Sequence, residues 1–431
     1  MKNNFQIILI SIFVFFIILG VVIFASYRAT QSSSTDVTIS MWGTIDSPSF
    51  NGFLSKVKKD LNKEIQINYM QKDPSTFDSE LVEAIASGKG PDSIILPQDL
   101  IVRYKNKIYP IPYTSFPERT FKDTFIDEGN LFLSSDGIWA MPFFVDPLVM
   151  YWNKDMFSDV GLANPPTKWS EFPLLADKFS KSDINANITQ SAVALGGFQN
   201  INNAKELISA LIIQAGNPIV SYVNGAFKSV INQGTTSGTN IQNPAEAALR
   251  FYTDYSNPKK SIYSWNSSLP TSKSMFLSGD LAIYFGKASE LKDIKEKNPN
   301  LNFDVAMLPQ TVDAKNKATF GNIYGLAILQ SSKNIIPAYT TINSLVGSDV
   351  VSIFLQSYDY SPVKRDIISA GTSDMNKKIF YDSALISKGW VDPNSTKTSQ
   401  IFKEMIDNIT TGKLKIGESL QKVNAELDLL L

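Results

Sequence analysis

The hydrophobic positions after residue 36 follow the two periods of regular secondary structure in turn. Val37–Met41 alternates and is rich in β-branched side chains, which predicts a strand. Apolar residues at spacings of three and four then predict an amphipathic helix: Phe50, Phe53, Leu54, Val57 and Leu61. Two more strands are predicted at Ile65–Tyr69 and Ser93–Pro97, with a second helix between them. This order predicts a doubly wound α/β sheet, in which ligands bind at the carboxyl ends of the strands.

The middle of the chain is mainly helical in pattern, and strands return later. Helices are predicted at Trp169–Phe179, Leu207–Ala215 and Ala245–Tyr255. Strands are predicted at Leu281–Phe285 and Asn302–Met307. The tail from residue 336 onward again has mostly helical spacing. The α/β class is therefore predicted for the whole chain after its first segment.

That first segment is apolar and uncharged. Ile7–Ala25 spans nineteen residues, which as a helix just cross the ~30 Å hydrocarbon layer of a bilayer. A secretory signal has a shorter apolar core followed by small residues, and Ile23–Tyr27 matches that cleavage pattern poorly. We therefore predict an uncleaved transmembrane signal-anchor over residues 1–27, with a cleaved signal peptide as the alternative. Residues 28–35 are predicted to be a flexible polar linker.

The composition removes several classes of chemistry. The 431 residues include no cysteine and no histidine, which excludes disulfides, thiolate sites and imidazole catalysis. An enzyme would have to use carboxylates, Lys, Tyr or Arg. With 40 Lys and Arg against 41 Asp and Glu, the chain has no excess of positive charge to attract nucleic acid. We predict no nucleic-acid partner, no cofactor and no metal site.

Motifs spread over about residues 36–370 carry a family resemblance. The most specific is Met150–Phe157, which runs into Gly161–Leu162 and Pro165–Glu171. The other matching stretches are Met41–Gly43, Ala86–Asp92, Asp136–Phe143, Ala248–Tyr252, Phe276–Ala282 and Ser361–Asp366. Together they resemble the extracellular solute-binding proteins of ABC importers, in the carbohydrate-binding group that includes maltodextrin-binding protein.

The resemblance implies a type II periplasmic-binding-protein-like fold, with two α/β lobes joined by a hinge and, in this chain, preceded by the transmembrane helix. Crossings between the lobes would fall near Pro142–Val145, Tyr284–Gly286 and Tyr324–Ala327. The implied lobes are discontinuous: residues 36–142 plus 285–326 form lobe 1, and residues 147–283 plus 328–431 form lobe 2. Closing such a cleft around a solute removes the solute from water, and hinge torsions reopen it.

The resemblance also implies the function. We expect a monomeric, single-pass protein of a bacterial cell membrane, with its soluble part on the extracellular side. It would capture a carbohydrate or related solute, deliver it to ABC permease subunits and catalyse nothing.

Carbohydrates present C–H faces and hydroxyl edges, so we expect a sugar site to combine flat aromatic rings with carboxylate or amide acceptors. Trp42 and Asp46 follow the first predicted strand, and Gln98 and Asp99 follow the third. In the resembling proteins, carboxylates at the positions of Asp46 and Asp99 accept sugar hydroxyls. Two alternatives stay open: Trp42 could pack under its loop, and Asp46 could cap the helix that follows.

Four further residues complete the predicted site. Phe144 and Asp146 lie at the first predicted crossing, and the resemblance makes Asp146 a third acceptor. Trp265 lies in a polar stretch with no periodic pattern that assigns it to the core, so its ring is predicted to contact the ligand. Tyr324, at the last predicted crossing, is another candidate ring. Asn202–Asn203 replaces the aromatic residues of maltodextrin binders, which leaves the particular sugar open.

Two other functions could use the same features. A carbohydrate-active hydrolase would need two carboxylates about 5–9 Å apart that flank one bond. A membrane-anchored sensor would signal through the first segment, but only Met1–Gln6 would remain inside the cell.

Overall fold

The computed structural model describes residues 12–22, 37–61, 65–185, 187–223, 225–237, 240–312 and 317–431. The strands are β1 (Val37–Gly43), β2 (Ile65–Gln71), β3 (Ser93–Pro97), β4 (Met141–Asn153), β5 (Lys181–Ser182), β6 (Ile188–Val193), β7 (Val220–Val223), β8 (Ala226–Ser229), β9 (Thr235–Ser237), β10 (Asn240–Gln242), β11 (Leu281–Lys287), β12 (Phe303–Met307), β13 (Gly321–Ile328) and β14 (Ser361–Pro362). The helices are α1 (12–22), α2 (Ser47–Val57), α3 (Phe77–Ala86), α4 (Ile101–Tyr104), α5 (Glu118–Thr124), α6 (Lys154–Asp159), α7 (Phe172–Phe179), α8 (Ala204–Gln214), α9 (Pro244–Asp254), α10 (Ser272–Leu277), α11 (Leu291–Lys297), α12 (Ile335–Leu345), α13 (Ser348–Ser357), α14 (Arg365–Ala370), α15 (Met375–Leu385), α16 (Ser395–Thr410) and α17 (Ile416–Asp428).

The sheet of the first lobe contains the three strands that open the chain. β1 pairs in parallel with β2 on one side and with β3 on the other. Helices α2 and α3 connect these strands, so the predicted order of strand, helix, strand, helix, strand is confirmed. β13 then lies between β3 and β4 and is antiparallel to both.

Helix α2 shows why this part of the chain folds as its pattern predicts. The Asp46 carboxylate accepts a hydrogen bond from the Ser49 backbone N–H at 3.0 Å, and Pro48 lies in the first turn, where a missing N–H is tolerated. The helix buries Phe50, Phe53, Leu54 and Val57. This face packs against β2 and α13, and each large apolar side chain removed from water contributes roughly 1.5–3 kcal/mol.

Strand β4 joins the two lobes without a break. Its first half, up to Pro147, pairs with β13, whereas its second half, from Leu148, pairs with β11 on one side and β12 on the other. The first crossing therefore lies at Pro147–Leu148 and not at the predicted Pro142–Val145. In the second lobe, β11 also pairs in parallel with β6, and β6 pairs with β5.

The strand pairing corrects the predicted division of the chain at two further places. Residues 285–326 were predicted to belong to lobe 1, but β12 pairs with the second-lobe half of β4. A crossing was predicted near Tyr324–Ala327, but there β13 continues along β3, and α12 packs on β13 and β1 in the first lobe. The family pattern misled here because it carries no information on which strand becomes the neighbour of another. The remaining lobe boundaries stay a prediction.

The chain returns to the second lobe between α15 and α16. The Ser387 hydroxyl donates to the buried carboxylate of Glu128 in the first lobe. Three residues later, Trp390 Nε1 donates to Ser209 Oγ of α8 at 3.2 Å. Helices α16 and α17 then pack on α8 and α9.

The N-terminal part of the chain is described only over α1, whose large apolar side chains are exposed. None of the helices in the described ranges has both the length and the apolar character needed to cross a bilayer. The predicted anchor extends beyond residues 12–22 at both ends, and the predicted linker, residues 28–35, lies outside the described residues. The transmembrane helix therefore stays a prediction.

Candidate functional site

A cavity of about 380 Å³ lies between the two lobes. The first lobe contributes the turn after β3 and the start of β13. The second lobe contributes the start of α8, the end of β11 and the segment that leads into α16. Its charged lining residues are Asp78, Asp99, Arg103, Lys205, Glu206, Lys287 and Asp392, and its aromatic ones are Phe77, Phe320 and Tyr324.

A buried ion pair forms the second-lobe side of this cavity. Lys205 Nζ in α8 lies 2.8 Å from Asp392 Oδ2, and the two side chains are only 8% and 6% exposed. Such a pair is tolerated when its other hydrogen-bonding positions are filled. Thr398 Oγ1 donates to both carboxylate oxygens, at 3.0 and 2.8 Å, and Lys205 also donates to Ser395 Oγ at 3.1 Å. The pair therefore attaches the segment before α16 firmly to α8.

Lys287, the last residue of β11, brings a second ammonium group to the cavity. Its Nζ lies 3.7 Å from Glu206 Oε1, beyond hydrogen-bonding distance. Burial opposes the charge on Lys287, but the carboxylates of Glu206, Asp146 and Glu290 outweigh it, so the pKa of Lys287 is raised. This ammonium group stays charged at neutral pH.

Asp99 lies in the turn after β3 and faces both ammonium groups. Burial raises the pKa of its carboxyl group, and repulsion from Asp392 raises it further. Lys205, the Ser395 hydroxyl and, more weakly, Lys287 lower it without restoring the ordinary value. Asp99 is thus a carboxylate whose negative charge the surrounding protein balances only in part.

Tyr324 supplies the aromatic surface of the cavity, and Phe144 supports it from behind. The two rings stack with centroids 4.7 Å apart and planes 18° apart. Phe144 is 1% exposed, because its ring is also stacked on Tyr360 at 4.3 Å. Phe144 is therefore buried behind Tyr324 and is not among the residues that line the cavity, and its contact with a ligand stays a prediction.

Two predicted acceptors are used within the protein. Asp146 accepts hydrogen bonds from the backbone N–H of Ser289 at 3.0 Å and from its hydroxyl at 2.6 Å, and burial raises its pKa to about 6. Asp146 thereby ties β4 to the residues that follow β11, and it is not among the residues that line the cavity. Its role as a ligand acceptor stays a prediction. Gln98 lines the cavity, but its amide donates to Gly321 O at 3.0 Å and accepts from Ile323 N at 3.3 Å.

Trp42 and Asp46 lie outside the residues that line the cavity. Trp42 is 8% exposed, and Lys72 Nζ lies 3.9 Å from the centroid of its ring. The position of Trp42 therefore agrees with the alternative interpretation, in which its ring packs within the protein. Asp46 caps α2, and its carboxylate also accepts from Ser49 Oγ at 2.7 Å. These hydrogen bonds lower the pKa of Asp46. The capping alternative therefore describes Asp46.

The structure also corrects the expectation for Trp265. Its side chain is fully buried, and its Nε1 donates to Asn200 Oδ1 at 3.1 Å. Asn200 in turn donates to the backbone oxygens of Asn266 and Leu269 at 2.9 and 3.0 Å. The polar sequence around Trp265 is thus a loop folded over a buried indole ring. Of the predicted residues, Asp99, Gln98 and Tyr324 line the cavity, and their contact with a ligand stays a prediction.

Sequence reasoning missed the four charged residues of the second lobe at this site: Lys205, Glu206, Lys287 and Asp392. A usable signal was present, because Lys205 and Glu206 open the apolar helix α8 and Lys287 directly follows the apolar run of β11. Charges at the ends of buried elements are costly unless they serve packing or a ligand. Across the described residues, no group of three or more acidic side chains could hold a metal ion.

A second cavity, of about 920 Å³, lies beside the first and is lined by residues 389–391 of the same returning segment. It contains the aromatic residues Tyr113, Trp139 and Tyr222. Two lysines line it: Lys122 is paired with Glu118 at 2.6 Å, and Lys105 Nζ lies 5.5 Å from the centroid of the Phe227 ring. This second cavity is thus larger than the first and is also lined by charged and aromatic side chains.

Comparison with known families gives one match over most of the chain. The family model described as "Bacterial extracellular solute-binding protein" matches residues 46–341. A protein of Brucella abortus (strain 2308) named as a binding protein is 22% identical over 426 residues, which cover 96% of this chain and 97% of that one. The sn-glycerol-3-phosphate-binding periplasmic protein UgpB of Yersinia enterocolitica is 28% identical over 180 residues, or 41% of this chain and 37% of that protein.

Among solved structures, the cyclic alpha-maltosyl-1,6-maltose binding protein from Arthrobacter globiformis has a similar fold. The TM-score is 0.75 at 15% identity, and the alignment covers 91% of this chain and 98% of that one. This likeness supports the two-lobed α/β architecture with a cleft between the lobes.

Proposed function

Because the chain belongs to the family of bacterial extracellular solute-binding proteins, we propose that it binds a carbohydrate in the cavity between its lobes and delivers it to the permease of an ABC importer. The observation that carries this proposal is the interlobe cavity itself, in which the Tyr324 ring meets charged donors and acceptors from both lobes. A ligand that bridges such groups favours the closed arrangement of the lobes, because opening returns each group to water.

The chemistry of the lining suits a sugar. Tyr324 offers a ring face for C–H groups, while Asp99 and Glu206 accept hydroxyl hydrogen bonds and Lys287 donates them. The structural neighbour from Arthrobacter globiformis is, by its name, a cyclic alpha-maltosyl-1,6-maltose binding protein, which supports a carbohydrate as the solute. The cavity of about 380 Å³ would hold roughly a dozen water molecules, so one or two sugar rings fill it.

The localisation follows from the family and the first segment. We propose that the soluble part lies outside the cell and that the apolar residues Ile7–Ala25 hold it to the membrane as a single-pass anchor. Intact-mass analysis of the protein from membrane fractions tests this. A mature protein that begins near Tyr27 and is released in soluble form would rule out the anchor but leave the binding function standing.

The binding function is tested by thermal shift and small-angle scattering with a library of mono- and oligosaccharides. We expect one class of sugar to raise the melting temperature and to reduce the radius of gyration. Asp99→Asn should weaken binding of that sugar at least tenfold, whereas Asp46→Asn should not change it, because Asp46 caps a helix away from the cavity and Asn is an equally good cap. If no sugar stabilises the protein, or if incubated oligosaccharides are shortened, the proposal is wrong.

A further inference from the structure

The charges that line the interlobe cavity do not balance. Each basic side chain has one acidic partner: Arg103 with Asp78 at 2.7 Å, Lys205 with Asp392 at 2.8 Å, and Lys287 with Glu206 at 3.7 Å. Asp99 lines the same cavity and forms no ion pair with any residue that the structure describes. Four acids and three bases thus face the space that a ligand would fill.

Burial and repulsion from Asp392 both work against the negative charge of Asp99. It is surrounded by Asp392, which repels it, and by Lys205, whose ammonium group is already bonded to Asp392 and to the Ser395 oxygens. Lys287 acts on Asp99 only weakly, because Glu206 and Asp146 compete for the same ammonium group. The burial that raises the pKa of Asp99 is a free-energy cost that a positive partner would remove.

The aromatic ring beside Asp99 favours the same kind of partner. Tyr324 lines the same cavity as Asp99 and Glu206. Burial raises the pKa of its phenol, and the carboxylates of Asp146, Asp99 and Glu206 raise it further. A tyrosine ring attracts cations at its face, and nearby carboxylates add to that attraction. An aromatic ring with surplus carboxylates is an arrangement that suits an organic ammonium group.

We infer that the solute is an amino sugar, a carbohydrate with a free protonated amine that pairs with Asp99 against the Tyr324 ring. This inference rests on the proposed function, because it specifies the solute of the same cavity. The hydroxyl groups of the sugar would use Glu206, Lys287 and Asn322, whose buried Nδ2 has no hydrogen-bond partner among the described residues. Phosphate esters and uronates are disfavoured, because the cavity already holds one negative charge too many.

Isothermal titration calorimetry at pH 7 tests this with matched pairs of sugars. The pairs are glucosamine and glucose, galactosamine and galactose, mannosamine and mannose, and the β-1,4-linked disaccharides of glucosamine and of glucose. Glucuronate and sn-glycerol 3-phosphate are the anionic probes. We expect the amine member of the recognised pair to bind at least tenfold more tightly than its neutral partner, which corresponds to about 1.4 kcal/mol. At pH 9.5 the preference should vanish, because a free amine with a pKa of about 8 is then uncharged.

Two variants separate a charge effect from a loss of shape. Asp99→Asn keeps the size of the side chain and removes its charge. It should weaken the amine sugar more than the neutral sugar, so that the preference for the amine falls to about twofold or less. Asp254→Asn should keep the full preference, because this half-buried aspartate in α9 of the second lobe is paired with Lys260 at 2.7 Å and lies outside the residues that line the cavity. Each protein is first checked for an unchanged melting temperature without ligand.

The outcomes distinguish the inference from the function on which it rests. If a neutral sugar binds as tightly as its amine partner, or if the preference survives in Asp99→Asn, the inference is overturned and carbohydrate binding stands. Tighter binding of an anionic probe would overturn the inference as well. If no sugar of either kind binds, both the inference and the proposed function fail.

Discussion

Asp392→Asn is expected to destabilise the protein strongly, because it leaves the Lys205 ammonium group buried without a counter-ion. At 2.8 Å and an effective dielectric constant of about 20, the gross attraction within this pair is about 6 kcal/mol. Lys205 keeps its hydrogen bonds to Ser395 at 3.1 and 3.3 Å and to Thr398 at 3.3 Å, which recover part of that loss. Breaking one side of a buried pair typically costs about 3–5 kcal/mol, and we expect the lower half of this range.

The matched control is an ion pair in α16 that is open to water. Lys403 Nζ lies 2.6 Å from Asp407 Oδ2, and the two side chains are 31% and 51% exposed. Asp407→Asn removes the same charge from a pair of similar length. Because water screens this pair, the loss in unfolding free energy should stay below about 0.5 kcal/mol.

Urea unfolding followed by circular dichroism at pH 7 measures both effects. The double variant Lys205→Met with Asp392→Asn completes a mutant cycle. Its loss of unfolding free energy should be smaller than the summed losses of the two single variants, since neither charge is then left without a partner. The reasoning is refuted if Asp392→Asn costs no more than Asp407→Asn, or if the two changes at the buried pair simply add.

Three further predictions concern stability. Trp265→Ala should cost about 3–5 kcal/mol because the indole ring is fully buried, whereas Tyr222→Ala, at a ring 63% exposed, should cost under about 0.5 kcal/mol; equal losses in urea unfolding would contradict this. Burial raises the pKa of Glu128 from 4.5 to about 8, so the native state holds this proton more tightly than the unfolded chain does. Stability should therefore fall by roughly 3–5 kcal/mol as pH rises from about 4.5 to 8, and Glu128→Gln should flatten the pH profile. Gly321→Ala should destabilise because its methyl group would overlap the Glu128 carboxylate, whereas Gly52→Ala, in α2 with open space around it, should stabilise by about 0.5–1 kcal/mol in the same assay.

The order of the first strands and helices was determined by the sequence alone. The period of Val37–Met41, the three-and-four spacing that begins at Phe50 and the cap at Asp46 are local signals, and the structure has the corresponding strand and helix. The position of Asp99 after β3 was also predictable, because the carboxyl end of a parallel strand is a place where ligands bind in such sheets. These features depend on neighbours a few residues apart, whose geometry the backbone periods dictate.

Only the tertiary structure decided which residues of the chain meet at the cavity. Lys205 and Asp392 are 187 positions apart, and no local period connects them. The burial of Trp265 depends on Asn200, 65 positions away, while its own sequence neighbours are polar. Likewise β12 joined the second half of β4 because strand partners are selected by the packing of whole layers. Burial and ion pairing at this site arise between surfaces that come together only when both lobes have formed. A sequence pattern therefore shows which residues form each surface, but it does not show which other surface they pack against.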